Sequence, residues 1–144
     1  MPVEPAGELI LAEPAGRYMT RPPLVADCSV LAAVLFDEPE RDRAVAALAG
    51  HELYAPDLLD HELANVAVKK SGAISEEVIG RALSDLTQLR IARRRIDVTQ
   101  QWRLALRFDL SAYDAAYLVL ATELNAPLVT FDRRLGEAAR QALG

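Results

Sequence analysis

Residues 24–30 read Leu-Val-Ala-Asp-Cys-Ser-Val, and this stretch decides the class of fold. Its apolar, valine-containing start suits a buried strand, and Asp27 stands where such a strand would give way to a helix. Downstream, Pro39 and the spacing of Ala44, Val45 and Leu48 predict a helix closed by Gly50. Residues 52–56 (ELYAP) then read as a second short strand. From Asp57, apolar side chains at Leu58, Leu59, Leu63, Val66 and Ala67 follow the 3.6-residue period, and Lys69, Lys70 and Gly72 mark the helix end. Ser75, Glu76 and Glu77 start another helix, with Val78, Ile79, Ala82, Leu83, Leu86 and Leu89 as its apolar stripe. An arginine-loaded strand follows at 91–98, then helices over 100–108 and 112–124, a strand at 127–131 and a closing helix over 133–142. Strands separated by helices predict an α/β fold: a mainly parallel central sheet of four or five short strands with helices on both sides, three layers in all.

Upstream of Leu24 the pattern stops. Five of the eight prolines lie in the first 23 residues with no sustained periodicity around them. Residues 1–22 are therefore expected to be an extension outside a single domain spanning 23–144, and Met19 is a candidate for the natural start. A chain of 144 residues leaves little room for a second core. No apolar run approaches the ~18 residues that cross a bilayer, and acids and prolines stand where a signal peptide carries basic residues, so a cytoplasmic location is expected. Cys28 is the only cysteine, which removes disulfide, zinc-thiolate and redox-dithiol readings. The seven glycines never fall into a nucleotide-binding loop.

With 16 basic and 21 acidic residues the net charge is −5, which argues against nucleic-acid binding by bulk charge. The distribution is uneven. Residues 1–80 carry 6 basic and 14 acidic side chains, whereas residues 81–144 carry 10 and 7. A polyanion can still dock on the second half.

Four acids fall where the pattern calls for an apolar residue or a strand terminus: Asp27, Glu62 on the apolar stripe of its helix, Asp114 inside SAYDAAYLVLATE, and Asp132 after the strand 127–131. Helix capping is an alternative for three of them: Asp27 and Asp132 as N-caps, and Asp114 as the fourth member of a Ser111 capping box. Glu62 has no such alternative, and its nearest polar neighbour by helical spacing is Asn65. If the strands before Asp27 and Asp132 are neighbours, their ends open onto one crevice, where the helices carrying Glu62 and Asp114 would add two more carboxylates. Two charges ~5 Å apart repel by roughly 3 kcal/mol at an effective dielectric near 20, against a total stability of ~5–15 kcal/mol. Protonation relieves such a cluster, and so does a bound cation; an all-oxygen donor set suits Mg²⁺ or Mn²⁺. Carboxylate-held divalent ions serve phosphodiester hydrolysis. Ser29 and Thr130 are candidate supports for that site, and Asn65 is placed to orient Glu62 or a water. Arg90, Arg93, Arg94, Arg95, Arg133 and Arg134 are candidate phosphate contacts, with a solvated edge strand as the alternative for the first four.

The ordered set VADCSV, DHELANV, LSAYDAAYLVLA and VTFDRRL resembles the PIN domain, most closely the single-domain VapC toxins of bacterial toxin-antitoxin pairs. The resemblance runs from about Leu24 to Ala142. By position it puts Asp27, Glu62, Asp114 and Asp132 at the family's acidic metal site, with Ser29, Asn65 and Thr130 at its supporting polar positions. It implies a Mg²⁺- or Mn²⁺-dependent endoribonuclease that homodimerises and is silenced by a cognate, VapB-like antitoxin. The long stretch before Leu24 and the run Arg93-Arg94-Arg95 depart from the family pattern.

Three other readings compete. Haloacid-dehalogenase-type phosphatases need an acid two positions after the first aspartate, where this chain has Ser29. Receiver domains want paired acids after the first strand and a lysine after the last, and the only lysines are Lys69 and Lys70. A PIN-like scaffold that only binds partners is the third. His51 and His61 read as ordinary surface or interface residues, and Trp102, Tyr113 and Tyr117 as core or dimer contacts rather than base-stacking platforms.

Overall fold

The computed structural model describes residues 7–14 and 21–144. Its strands are β1 (Ile10–Ala12), β2 (Pro23–Ala26), β3 (Glu52–Pro56), β4 (Ile91–Arg94) and β5 (Leu128–Thr130). They form one sheet in the order β1-β5-β2-β3-β4, with β5, β2, β3 and β4 parallel and β1 antiparallel to β5. The helices are α1 (Cys28–Leu35), α2 (Arg41–Leu48), α3 (Leu59–Lys70), α4 (Glu76–Leu86), α5 (Val98–Phe108), α6 (Ala112–Leu124) and α7 (Arg133–Leu143). The expected α/β class is what is found, a mainly parallel sheet flanked by helices. Among the described residues no helix is long and apolar enough to cross a membrane.

α6 organises the core. Ala115 through Ala121 are all buried, so this helix is covered on every side. Its alanines let α5 and α7 pack closely on it while it also lies against β2, β3 and β5. It ends at Asn125, whose left-handed backbone (φ 48°) terminates the helix and lets the Ala126 N–H bond back to Ala121 O at 3.0 Å. α1 and α3 pack together in a second group of helices.

The reading of residues 1–22 as lying outside the fold needs correction. Ile10–Ala12 pair with Thr130–Leu128, and Ile10 and Ala12 are buried. Three residues are too few for strand periodicity to register, and what holds them is the open edge of β5 and the surface of α7, where Gly136 lies directly against Ile10. Met19, the candidate start, lies outside the described residues. Boundaries elsewhere shift by a few positions. The helix after β2 begins at Cys28, inside the stretch whose valines suggest strand, because CSVLAAVL is apolar all round and carries no amphipathic signature. The expected helix from Pro39 is α2 alone, and the strand expected over 91–98 ends at Arg94 because Asp97 caps α5 through the N–H groups of Thr99 and Gln100. Val78, expected on the apolar stripe of α4, faces solvent.

Candidate active site

β3 and β4 extend the sheet on one side of β2, and the chain then crosses to place β5 on the other side. β2 and β5 thus flank the point where strand order reverses, and a parallel sheet opens a crevice at the carboxyl ends of those strands. Asp27 follows β2 at this place, with its N–H bonded to Val129 O at 3.1 Å. Its side chain is 5% exposed. It stands at the N-cap of α1 yet makes no capping hydrogen bond, so capping does not explain it. Instead its Oδ2 accepts from the Thr130 hydroxyl at 2.7 Å and the Ser29 hydroxyl at 2.8 Å. Each hydroxyl in turn accepts a backbone N–H from the β5–α7 turn, Asp132 N at 2.9 Å on Thr130 and Phe131 N at 3.1 Å on Ser29. Burial raises the Asp27 pKa, and the Thr130 and Ser29 hydroxyls pull it partly back.

The other three acids converge on this point from different elements. Glu62, in the first turn of α3, accepts the Tyr117 hydroxyl on Oε1 at 2.6 Å. Burial raises its pKa, and the charges of Asp27 and Asp114 add to that. Asp114 sits in the first turn of α6, where the Ser111 hydroxyl caps the helix by accepting the Asp114 N–H at 3.1 Å. Its carboxyl is pushed up to about 6 by burial, then by Asp27 and Asp132, with Ser111 and Arg134 opposing. Asp132 does cap α7, accepting from Leu135 N at 3.0 Å, and its charge still reaches Asp114. Cys28, buried beside them, has its thiol pushed far up by burial and by Glu62, Asp27 and Glu38, which removes it as a nucleophile.

The charge of Asp27 raises the pKa values of both Glu62 and Asp114, and Asp132 adds to Asp114, so these acids form a self-repelling set of oxygen donors without imidazole, a donor chemistry that fits Mg²⁺ or Mn²⁺. Among the described residues no three His, Cys, Asp or Glu side chains come together closely enough to enclose an ion by themselves.

A family model for the PIN domain matches residues 24–141, from β2 into α7. The chain belongs to the PIN-domain family. It is similar to Ribonuclease VapC3 of Pyrobaculum aerophilum, 31% identical over 121 residues that cover 79% of this chain and 92% of that protein. Ribonuclease VapC9 of Mycobacterium tuberculosis is 31% identical over 122 residues, 81% of this chain and 91% of that one. Ribonuclease VapC1 of the same species is 41% identical over 91 residues, 58% of this chain and 65% of that one. Among solved structures, the crystal structure of PAE2754 from Pyrobaculum aerophilum superimposes with a TM-score of 0.63 at 26% identity, covering 81% of this chain and 78% of that chain.

The surroundings of this PIN domain's acids differ from expectation in three respects. Asn65, read as the partner of Glu62, is exposed, and the partner is Tyr117, a core residue. A signal for it existed: Tyr117 lies three residues after Asp114, so both project from one side of α6. The arginines are also less free than expected. Arg93 donates Nε at 3.2 Å and Nη2 at 2.8 Å to the Asp60 carboxylate, with Nη1 on Ile91 O at 2.8 Å. Arg133 pairs with Glu137 and Arg134 with Asp109, and Arg94 lies over the Tyr54 ring at 5.5 Å. Trp102 and Tyr113 are exposed, at 58% and 63%, so neither is core. A cavity of about 520 Å³ lies at the opposite end of the strands, where Arg21, His51 and Arg90 line it.

Proposed function

We propose that this PIN domain is a divalent-metal-dependent endoribonuclease, the toxin of a toxin-antitoxin pair, hydrolysing RNA phosphodiester bonds in the cytoplasm. The observation that carries the reading is Asp27: a nearly buried carboxylate, unused as a helix cap, held at the strand-order reversal and repelled by Glu62 and Asp114. The names of the VapC relatives support the activity on RNA and, with it, a VapB-like antitoxin as partner.

Asp27, Glu62, Asp114 and Asp132 would hold Mg²⁺ or Mn²⁺, which when bound lowers the pKa of a water and neutralises charge building on the phosphate. The protein's own part is orientation. Ser29 and Thr130 hold the Asp27 carboxylate by one oxygen and leave the other for the site, and Tyr117 fixes Glu62 in the same way. Arg94 and Arg95 would take backbone phosphates. Arg93, Arg133 and Arg134 would join them by exchanging a carboxylate for a phosphate, an exchange that costs little because surface pairs are worth only about 0–1 kcal/mol. A homodimer finds an apolar surface on α5, where Val98, Trp102 and Leu106 repeat at four-residue intervals and are all exposed.

Incubation of purified protein with a pool of single-stranded RNAs tests the activity. Cleavage is expected with Mg²⁺ or Mn²⁺, none with EDTA, and none for Asp27→Asn. A protein that binds the antitoxin but never cuts RNA under any metal would point to the partner-binding scaffold instead.

A further inference from the structure

Glu62 lines a cavity whose lining includes none of the other three acids. The cavity, of about 300 Å³, lies between the first turns of α3 and α6, lined by Leu58, His61, Glu62, Asn65 and Tyr113. Tyr113 immediately precedes Asp114, and His61 immediately precedes Glu62, so two residues lining this cavity are chain neighbours of the acids. Helix formation explains neither Tyr113 nor Asn65. Tyr113 is 63% exposed, and no hydrogen bond or ion pair among the described residues engages the side chain of the exposed Asn65. A flat aromatic face, an apolar wall that includes Leu58 and an unused amide with donor and acceptor are the elements that stack a base and read its edge.

We propose that this cavity is a nucleobase subsite: one unpaired base of single-stranded RNA stacks on Tyr113 while Asn65 bonds its edge. The inference rests on the ribonuclease reading for the identity of the ligand. Glu62 lines this cavity and feels the charges of Asp27 and Asp114, so a base seated here belongs to a nucleotide next to a phosphate held at the acids. The subsite admits a base that is already unstacked, and a paired base is excluded by its own stacking and pairing energy. Tyr113 is on this view a binding and specificity residue and takes no part in bond breaking.

The test measures binding separately from cutting. In the Asp27→Asn background, fluorescence anisotropy with a short single-stranded RNA is expected to show that Tyr113→Ala weakens binding by about 5- to 150-fold, the loss of one base stack. Tyr113→Phe, which keeps the ring, is expected to bind as the parent does. Asn65→Ala is expected to narrow the differences in affinity among otherwise identical RNAs that vary in a single base. With an RNA carrying an abasic site at the position that matters, Tyr113→Ala should have no further effect, since the two changes remove the same contact. In the nuclease itself Tyr113→Ala should raise KM far more than it lowers kcat. Unchanged RNA affinity in Tyr113→Ala, or an equal loss with the abasic RNA, overturns the subsite while leaving the nuclease reading intact. Weaker antitoxin binding with unchanged RNA affinity overturns it too, by making Tyr113 a protein contact. Tyr113-dependent RNA binding by a protein that never cleaves would leave the subsite standing and remove the nuclease reading.

Discussion

Replacing Asp114 by asparagine should stabilise the metal-free protein while disabling it. The wild-type carboxyl is displaced from its ordinary 3.8 to about 6 by burial and by Asp27 and Asp132. Taken at face value that displacement corresponds to about 3 kcal/mol. The side chain is partly exposed, so solvent screening brings the usable figure to about 1–2 kcal/mol. The folded state holds the Asp114 proton more tightly than the unfolded chain does. The penalty is therefore absent below about pH 3.8, grows as pH rises toward 6, and is complete at pH 7. Asparagine never ionises and escapes it. In EDTA at pH 7 the variant should melt about 2–8 °C above wild type, given roughly 2–4 °C per kcal/mol for a chain of this size. At pH 4.5 the gap should largely close, because the wild-type residue is then mostly protonated; comparing the two proteins at each pH cancels the titration of groups that do not interact with Asp114. Adding Mg²⁺ or Mn²⁺ should reverse the order, raising the melting point of wild type and leaving the variant nearly unmoved. A variant less stable than wild type in EDTA at pH 7, or a gap that does not change with pH, refutes the idea that these acids repel one another in the folded protein.

Further consequences follow from the same geometry. Thr130→Val removes a fully buried hydroxyl that donates to Asp27 and accepts from Asp132 N, and should cost about 2–4 kcal/mol in urea unfolding. Tyr117→Phe keeps the ring in the core but strips Glu62 of its donor; a loss of about 1–2 kcal/mol is expected, together with reduced RNA cleavage, and full activity would show that Glu62 needs no orientation. Gly136→Ala puts a methyl group onto Ile10 and should destabilise by about 1–3 kcal/mol, an effect that should vanish in a chain shortened to begin at Met19, which lacks β1. Trp102→Glu, at an exposed site, should leave the melting point of the monomer within a few degrees and convert the proposed homodimer to monomer in light scattering; a dimer that persists in the variant places the contact elsewhere.

The sequence by itself determined the α/β class and the four anomalous acids, because both are local properties. Alternating strand and helix patterns are written in spacings of two and 3.6 residues, and an acid on an apolar stripe such as Glu62 stands out against its immediate neighbours. Asp132, by contrast, matched the pattern of a helix cap and is one. The tertiary structure alone decided how the acids are supported. Thr130 and Asp27 are 103 residues apart and Tyr117 and Glu62 are 55 apart, and no periodicity reports a hydrogen bond across such a separation. It decided the fate of Arg93 as well, since Asp60 meets it only once β4 lies beside β3 at the start of α3. The same holds for Ile10–Ala12, a segment too short and too proline-flanked to declare itself. Its strand character comes from the unpaired edge of β5, a property of the assembled sheet rather than of the three residues that fill it.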